Sequence, residues 1–446
     1  MAHSLWSRFD RPTPEWFTAA KLGIFVHWGA YSVPAWAEPT GELGALDDET
    51  WFRHNPYAEW YFNSIRIDGS PAQTHHRQVY GGRPYDEFLD EWRAESFDAA
   101  ALTGLFARAG ARYVVPTTKH HDGITLWDAP GTSTRNTVHR GPRRDLVAEF
   151  ASATRAAGLR FGVYYSGGLD WHVTQLPPLD THHRVHTVRP YDEAYGTYAY
   201  LHVKDLIDRY RPDILWNDIE WPDRGKHDGS CGLARLFSHF YEQNPEGVVN
   251  DRWGDTHWDF RCSEYQAYRE SEAGGAWENT RGLGLSFGYN QNEDASVTLD
   301  AHAALKHLVD VVSRGGNLLL NVGPRADGTL SELQRATLEG MAEWMARNAA
   351  ALHDTAVVPS AVAAPADDPW LRWTRDSRHL NAIIDADGEV TLRLAVDAVD
   401  LMSARTLWGR SVELDGRDGG ARVVLPKGEL SPHVVRFDFR GDRATS

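Results

Sequence analysis

The chain, 446 residues long, is expected to fold as a (β/α) barrel of the TIM type followed by a C-terminal antiparallel β-sandwich. Three observations predict this. Over roughly the first three quarters, short apolar runs alternate with segments of helical periodicity, the pattern of parallel strands joined by right-handed crossovers. Most apolar runs stop abruptly in polar or aromatic residues, as strands do where they open onto the mouth of a barrel. The texture then changes to short alternating runs separated by Gly-containing turn pairs, which suits an antiparallel sandwich. A doubly wound open sheet is the alternative for the first part. It would usually carry a Gly-rich phosphate loop after its first strand, and none occurs. The expected division is 1–352 for the barrel and 353–446 for the sandwich.

In chain order, residues 22–28 read as the first strand. Residues 97–109 place Leu102, Leu105, Phe106 and Ala109 on one helical face, with Gly110 as the stop. Strand 112–118, helix 145–157 closed by Gly158, and strand 159–166 follow. Helix 196–210, strand 213–218, helix 231–243 and strand 247–251 continue the alternation. Strands 283–289 and 317–322, with helix 301–314 between them, complete it. Ser331 with Gln334 predicts a capping box that opens a helix running to about Asn348. Residues 356–369, rich in Ala, Pro and Asp, read as a linker. Beyond it, strands are expected at 370–374, 379–385, 389–395, 421–425 and 433–439. Turns are expected at Asp387-Gly388, Asp415-Gly416 and Gly419-Gly420.

Bulk properties exclude several function classes. A net charge of −16 argues against nucleic acid, whose phosphates need a basic footprint, and against anionic membranes. No apolar stretch approaches the ~20 residues that span a bilayer. Cys231 and Cys262 are the only cysteines, too few for a disulfide framework or a zinc-ligand set. The first residues lack a basic region followed by an apolar run, so a cytoplasmic location is expected. The 18 Trp and 17 Tyr suit a core, and also suit stacking on the apolar faces of sugar rings.

The strand ends carry a recurring set of polar residues: His27-Trp28, His120-His121-Asp122, Tyr164-Tyr165-Ser166, Trp216-Asn217-Asp218 and Asn250-Asp251-Arg252. Glu59-Trp60-Tyr61 lie in an early loop. In a barrel all of these ends face one mouth. Asp218 closes a buried apolar run, and Glu264 lies just beyond the next one. Two carboxylates on neighbouring strand ends, with aromatics between them, are what hydrolysis of a glycosidic bond needs: one as nucleophile, one as acid/base. Asp218 could instead cap a helix. Glu220 is its nearest rival, and Glu278, beside Trp277, is another candidate. His120-His121 could be half of a metal site, but adjacent residues on an extended chain point to opposite sides, and no metal-ligand spacing accompanies them. Hydroxyl recognition is the favoured role, and no metal is expected. His182-His183 are expected to face solvent. A Ser-His-Asp hydrolase lacks its Gly-x-Ser-x-Gly elbow.

Longer motifs sharpen this reading. Gly23-Ile-Phe-Val-His-Trp-Gly29, Lys119-His-His-Asp-Gly123, Gly162-Val-Tyr-Tyr-Ser166, Leu215-Trp-Asn-Asp218, Asn250-Asp-Arg-Trp253, Ser286-Phe-Gly-Tyr-Asn290 and Gly315-Gly-Asn-Leu-Leu-Leu-Asn-Val-Gly323 occur in this order. Through them the chain, from about Trp16 to Trp344, resembles the α-L-fucosidases of glycoside hydrolase family 29. The resemblance implies a distorted (β/α) barrel with a β-sandwich, no cofactor, and release of terminal α-L-fucose from fucosylated oligosaccharides or glycoconjugates by a retaining double displacement. It carries the nucleophile to Asp218 through the Trp-Asn-Asp motif. In bacterial members the acid/base is the Glu of an Ala-Glu-Tyr motif, here Ser263-Glu264-Tyr265, which implies Glu264. The family's fucose contacts carry to His27, Glu59, Trp60, His120, His121, Tyr164, Trp216, Arg252 and Phe287. At position 220, Glu stands where the family commonly has Gly.

On this reading Arg252 would keep Asp218 ionised, Glu264 would be protonated at rest, and Trp216 and Phe287 would wall the 6-deoxy methyl. Two other classes are a non-hydrolytic fucose-binding protein, which would lack one carboxylate, and a metal-dependent barrel hydrolase. Assembly into a homo-oligomer is left open. The sandwich is expected to pack against the barrel rather than to bind carbohydrate.

Overall fold

The computed structural model describes residues 5–42, 44–174, 176–265, 275–407, 412, 414–417, 420–425 and 431–440. Eight parallel strands form one sheet rolled into a nearly closed barrel. They are β1 (Leu22–Val26), β2 (Tyr113–Lys119), β3 (Arg160–Ser166), β4 (Ile214–Asp218), β5 (Val248–Val249), β6 (Phe260–Glu264), β7 (Ala276–Gly282) and β8 (Asn317–Val322). β1 pairs with β2 on one side and β8 on the other. Each of its residues is buried, so it reads as a continuous apolar run, as a parallel strand covered on both faces should. Gly23 is demanded by close approach: a Cβ there would fall 2.2 Å from the Tyr113 ring.

The crossover helices begin where short polar residues can bind free backbone N–H groups. Asp98, Asp145, Asp192 and Asp300 accept from Ala101, Ala148, Tyr195 and Ala303. Ser331 accepts from the Gln334 N–H, as expected. The Gln334 side chain does not complete the box, because its Oε1 instead accepts from Gly323 N–H at 3.2 Å. It thereby ties the end of β8 to the helix Glu332–Asn348.

The sheet is open between β5 and β6. Asp259 patches this seam: its N–H donates to Val249 O at 2.9 Å, and its carboxylate accepts from Val249 N–H at 2.8 Å. The expected strand 247–251 is therefore only two residues long, and the chain after it is free to carry Arg252 into the mouth.

Two strand expectations are corrected. Residues 283–289 are a loop, and the strand precedes them as β7; β6 was not anticipated as a strand at all. The reason is polar content inside the barrel. β7 reads Ala-Trp-Glu-Asn-Thr-Arg-Gly, and its Glu278 and Asn279 are fully buried with dedicated partners. Leu283, Leu285 and Phe287, which mimic a strand in sequence, are buried in the loop instead.

The C-terminal part has two antiparallel sheets, one of five strands and one of three. Trp373, Ile384, Leu392, Val423 and Phe437 belong to their shared core. Strands Val399–Arg405 and Leu414–Arg417 were not anticipated, and Asp415-Gly416 lies in the latter rather than in a turn. Gly419 lies outside the described residues. Val399–Arg405 breaks its alternation with a register shift between Asp400 and Arg405, and Met402 on it is 93% exposed, so the period-2 signal is lost. The sandwich packs on the barrel: Ile383 and Val434 join the barrel core, Trp344 Nε1 donates to Pro432 O at 2.8 Å, and Lys306 pairs with Asp385 at 2.7 Å.

Candidate active site

The strands open at their C-terminal ends onto a cavity of about 570 Å3. His27, Glu59, Trp60, His120, His121, Tyr164, Trp216, Asp218, Arg252, Glu264 and Phe287 all line it. Every residue to which the family resemblance assigns a catalytic or sugar-contacting role is thus brought to one place, from segments spread over most of the barrel, whereas the rival Glu278 is not among the lining residues.

Arg252 organises the centre. Its Nη1 donates to Asp218 Oδ1 at 3.0 Å and its Nη2 to Glu264 Oε2 at 2.9 Å. Its guanidinium lies over the Trp216 ring, 4.8 Å from the centroid. The second oxygen of each carboxylate has its own phenol: Tyr164 donates to Asp218 Oδ2 at 2.8 Å, and Tyr57 donates to Glu264 Oε1 at 3.1 Å. Burial alone would raise the Asp218 carboxyl. The charge of Arg252, with the bonds from Arg252 and Tyr164, outweighs burial and holds it below the ordinary carboxylate value. Burial pushes both phenols well up, so they remain O–H donors.

Asp218 is not a helix cap. Its carboxylate accepts from the adjacent Ile219 N–H, and Ile219 and Glu220 are left-handed, with φ of 55° and 66°. A β-branched residue rarely adopts this conformation. Tyr265, which follows Glu264, is left-handed too, with φ of 53°. Both carboxylates therefore sit at sharp turns that end their strands, the kind of backbone strain that clusters at functional sites. The turn after Asp218 also explains position 220, since its backbone is in the region glycine favours. Glu220 is held there by Arg189 at 3.0 Å and Lys226 at 2.9 Å. Gly168 leaves room for this turn, because a Cβ there would fall 1.6 Å from Ile219 O.

His120 and His121 do not point to opposite sides. The extended chain ends at Lys119, and a turn follows in which Gly123 N–H donates to His120 O. The two rings lie 4.1 Å apart and both line the cavity. Hydrogen bonds assign two imidazole tautomers. Asn321 uses its amide N–H on Phe287 O, so its Oδ1 accepts from His27 Nδ1 at 2.7 Å. Ser166 Oγ donates to Leu169 O and so accepts from His121 Nδ1 at 2.6 Å. Each ring then offers an unprotonated Nε2. Burial lowers His27 to about 4 and His121 to about 3, and drives His120 well down, so all three are neutral near pH 7. His120 Nδ1 is buried without a protein partner. Among the described residues, no group of three His, Cys, Asp or Glu side chains is placed to hold a metal ion.

Glu59 is 1% exposed, and its Oε2 accepts from Gly288 N–H at 2.7 Å and Ser286 Oγ at 3.1 Å. Burial raises it to about 7. A carboxyl raised on folding is penalised when ionised: the penalty is absent below the unfolded value and complete above the folded one. Glu59→Gln keeps both bonds through its amide oxygen. It is expected to stabilise the protein by about 3 kcal/mol at pH 8 and by nothing resolvable at pH 4. Urea melts of both proteins at the two pH values check this; equal destabilisation at both would refute it.

Sequence reasoning missed Tyr57, Asn321 and Ser166 as partners. The strand-end rule that selected His27 could have found Asn321, one residue before the end of β8. Nothing local marks Tyr57. It also missed Lys119 and Asp170, a buried pair at 3.4 Å that supports the loop carrying Trp171. His182 and His183 are exposed, as expected, and His182 sits on the rim of the cavity with His186, Glu220 and Asp255.

Comparison with known proteins agrees with this arrangement. A family model described as alpha-L-fucosidase matches residues 3–350. The tissue alpha-L-fucosidase of Macaca fascicularis is 32% identical, over 83% of this chain and 73% of that protein. The structure of a Thermotoga maritima alpha-L-fucosynthase in complex with alpha-L-Fuc-(1-2)-beta-L-Fuc-N3 is 43% identical. It covers 97% of this chain and 98% of that one, with a TM-score of 0.87. The Thermotoga maritima alpha-fucosidase in complex with fucose is 42% identical, covers 96% and 97%, and has a TM-score of 0.84.

Proposed function

Because the chain belongs to the α-L-fucosidase family of glycoside hydrolases, we propose that it releases terminal α-L-fucose from fucosylated oligosaccharides or glycoconjugates with retention of configuration. Asp218 is the nucleophile and Glu264 the acid/base. The observation that carries this reading is the single guanidinium of Arg252 shared by the two carboxylates. Such sharing favours the separation of about 5–5.5 Å used in direct displacement over the ~6.5–9.5 Å that leaves room for an attacking water.

In the first step Asp218, kept anionic by Arg252 and Tyr164, attacks the anomeric carbon, and Glu264, as the general acid, gives a proton to the leaving oxygen. Esterification removes the charge of Asp218. Arg252 then faces the new carboxylate of Glu264, which takes a proton from water as that water attacks the fucosyl ester. The same cation thus serves the charged partner in each half-reaction. The neutral imidazoles of His27 and His121 accept from ring hydroxyls through Nε2, and His120 lines the same pocket. A sugar with inverted hydroxyls would leave these buried atoms unpaired. Trp216 and Phe287 supply the apolar wall for the 6-deoxy methyl. The leaving group extends toward His182, His186, Glu220 and Asp255. The sugar in the Thermotoga maritima fucosynthase complex, a fucosyl-fucosyl azide by its description, supports fucose as the bound unit.

Proton NMR of 4-nitrophenyl α-L-fucoside hydrolysis tests the stereochemistry. The α anomer of fucose is expected first, with the β anomer growing only at the rate of mutarotation. First appearance of β-fucose would replace the double displacement with a single one.

A further inference from the structure

Glu278 is a fully buried carboxylate on β7 that takes no part in the steps above. It lies below the cavity, inside the barrel. Its Oε1 accepts from Trp216 Nε1 at 3.0 Å, and its Oε2 accepts from the Tyr113 hydroxyl. Trp216 is wedged between Phe25, at 4.9 Å, and Tyr164, stacked at 5.6 Å and 24°. On its other contact it carries the guanidinium of Arg252. These contacts form a column from the barrel floor to the reacting groups: Glu278, Trp216, Arg252, then Asp218 and Glu264.

We propose that Glu278 is a positioning residue for fucoside hydrolysis, fixing through Trp216 the place of the guanidinium shared by Asp218 and Glu264. This rests on the reading of those two residues as the catalytic pair. Tyr164 stacks on the indole, whereas Phe25 meets it inclined at 60°; such ring contacts restrain its tilt but hold it less firmly against sliding in its own plane. A charge-assisted bond to the indole N–H removes that freedom. Arg252 needs such a fixed seat, because its two anionic partners exchange charge during the cycle while the Trp216 face does not change. A carboxylate is also a costly filler for a barrel core. Burial raises Glu278 to about 7, and well-packed apolar side chains would stabilise that position more. Such a cost is expected where geometry at a site matters more than stability.

The test is kcat and KM on 4-nitrophenyl α-L-fucoside, with thermal midpoints, for wild type, Glu278→Leu, Trp216→Phe, the double variant and Tyr113→Phe. Glu278→Leu removes the acceptor oxygens, and Trp216→Phe keeps a ring and removes the N–H. Glu278→Leu and Trp216→Phe are each expected to lower kcat about 10- to 100-fold, the scale of a misplacement near 1 Å. Glu278→Leu should leave KM within about threefold. The double variant should fall no further than about threefold below the weaker single, because both substitutions break one link. Tyr113→Phe removes only the other bond and should stay within about threefold of wild type. The proposal is overturned if Glu278→Leu stays within about twofold of wild type, or if the two single losses multiply in the double variant. Should Glu278→Leu fail to fold, Trp216→Phe decides, and wild-type kcat there overturns the proposal. A wild type inert on this substrate would overturn the functional reading itself, and the positioning role with it.

Discussion

Asp218→Ala is expected to lower kcat for 4-nitrophenyl α-L-fucoside by about four to six orders of magnitude, the scale seen when a nucleophile is removed from an otherwise intact site. The reason is geometric. Asp218 is held ionised by Arg252 at 3.0 Å and Tyr164 at 2.8 Å. Its rival Glu220 is committed to Arg189 and Lys226 at the rim. Among the described residues, no other carboxylate accepts from both Arg252 and Tyr164. Truncation leaves a space where azide can bind beside Arg252. Azide should therefore restore part of the activity and yield a β-fucosyl azide, inverted relative to the substrate. Near-wild-type turnover of this variant would move the nucleophile elsewhere, with Glu220 first to be tested by the same substitution.

Glu264→Ala should behave differently in three measurable ways. Loss of general acid–base assistance lowers kcat by about 10²–10⁴. The loss should be smaller for a nitrophenyl leaving group, which departs with little protonation, than for a fucosylated disaccharide, which must be protonated to leave. Azide should rescue this variant too, but by attacking the fucosyl ester on Asp218, so the product is an α-fucosyl azide with retained configuration. The two variants are thus separated by the stereochemistry of one product. Identical azides from both would refute the division of roles between Asp218 and Glu264.

Barrel and sandwich were both legible from alternation and turn chemistry, because these depend on neighbours in the chain. Where a strand was misread, polarity was the cause. β7 hides Glu278 and Asn279 inside the barrel, where only a partner from another strand makes them tolerable. The apolar loop containing Leu283, Leu285 and Phe287 looks more like a strand than β7 does. The same holds at the site. Residues placed by strand ends, such as His27, Tyr164 and Asp218, could be named in advance, whereas Tyr57 could not. Its value lies wholly in a 3.1 Å bond to Glu264, far along the chain.

The sequence by itself determined which side chains arrive at the mouth, since strand ends and the motifs that terminate them are local properties. The family resemblance also marked position 220 as unusual, although not how its backbone would be held. Only the tertiary structure decided what those side chains do to one another. It placed both carboxylates on one guanidinium, turned His120 and His121 to the same side, and set the tautomers of His27 and His121 through Asn321 and Ser166. It also seated Trp216 on Glu278. The physical reason is range. Propensity and periodicity act over a few residues, whereas ionisation, tautomer choice and hydrogen-bond partnership depend on distances that exist only once the barrel has closed.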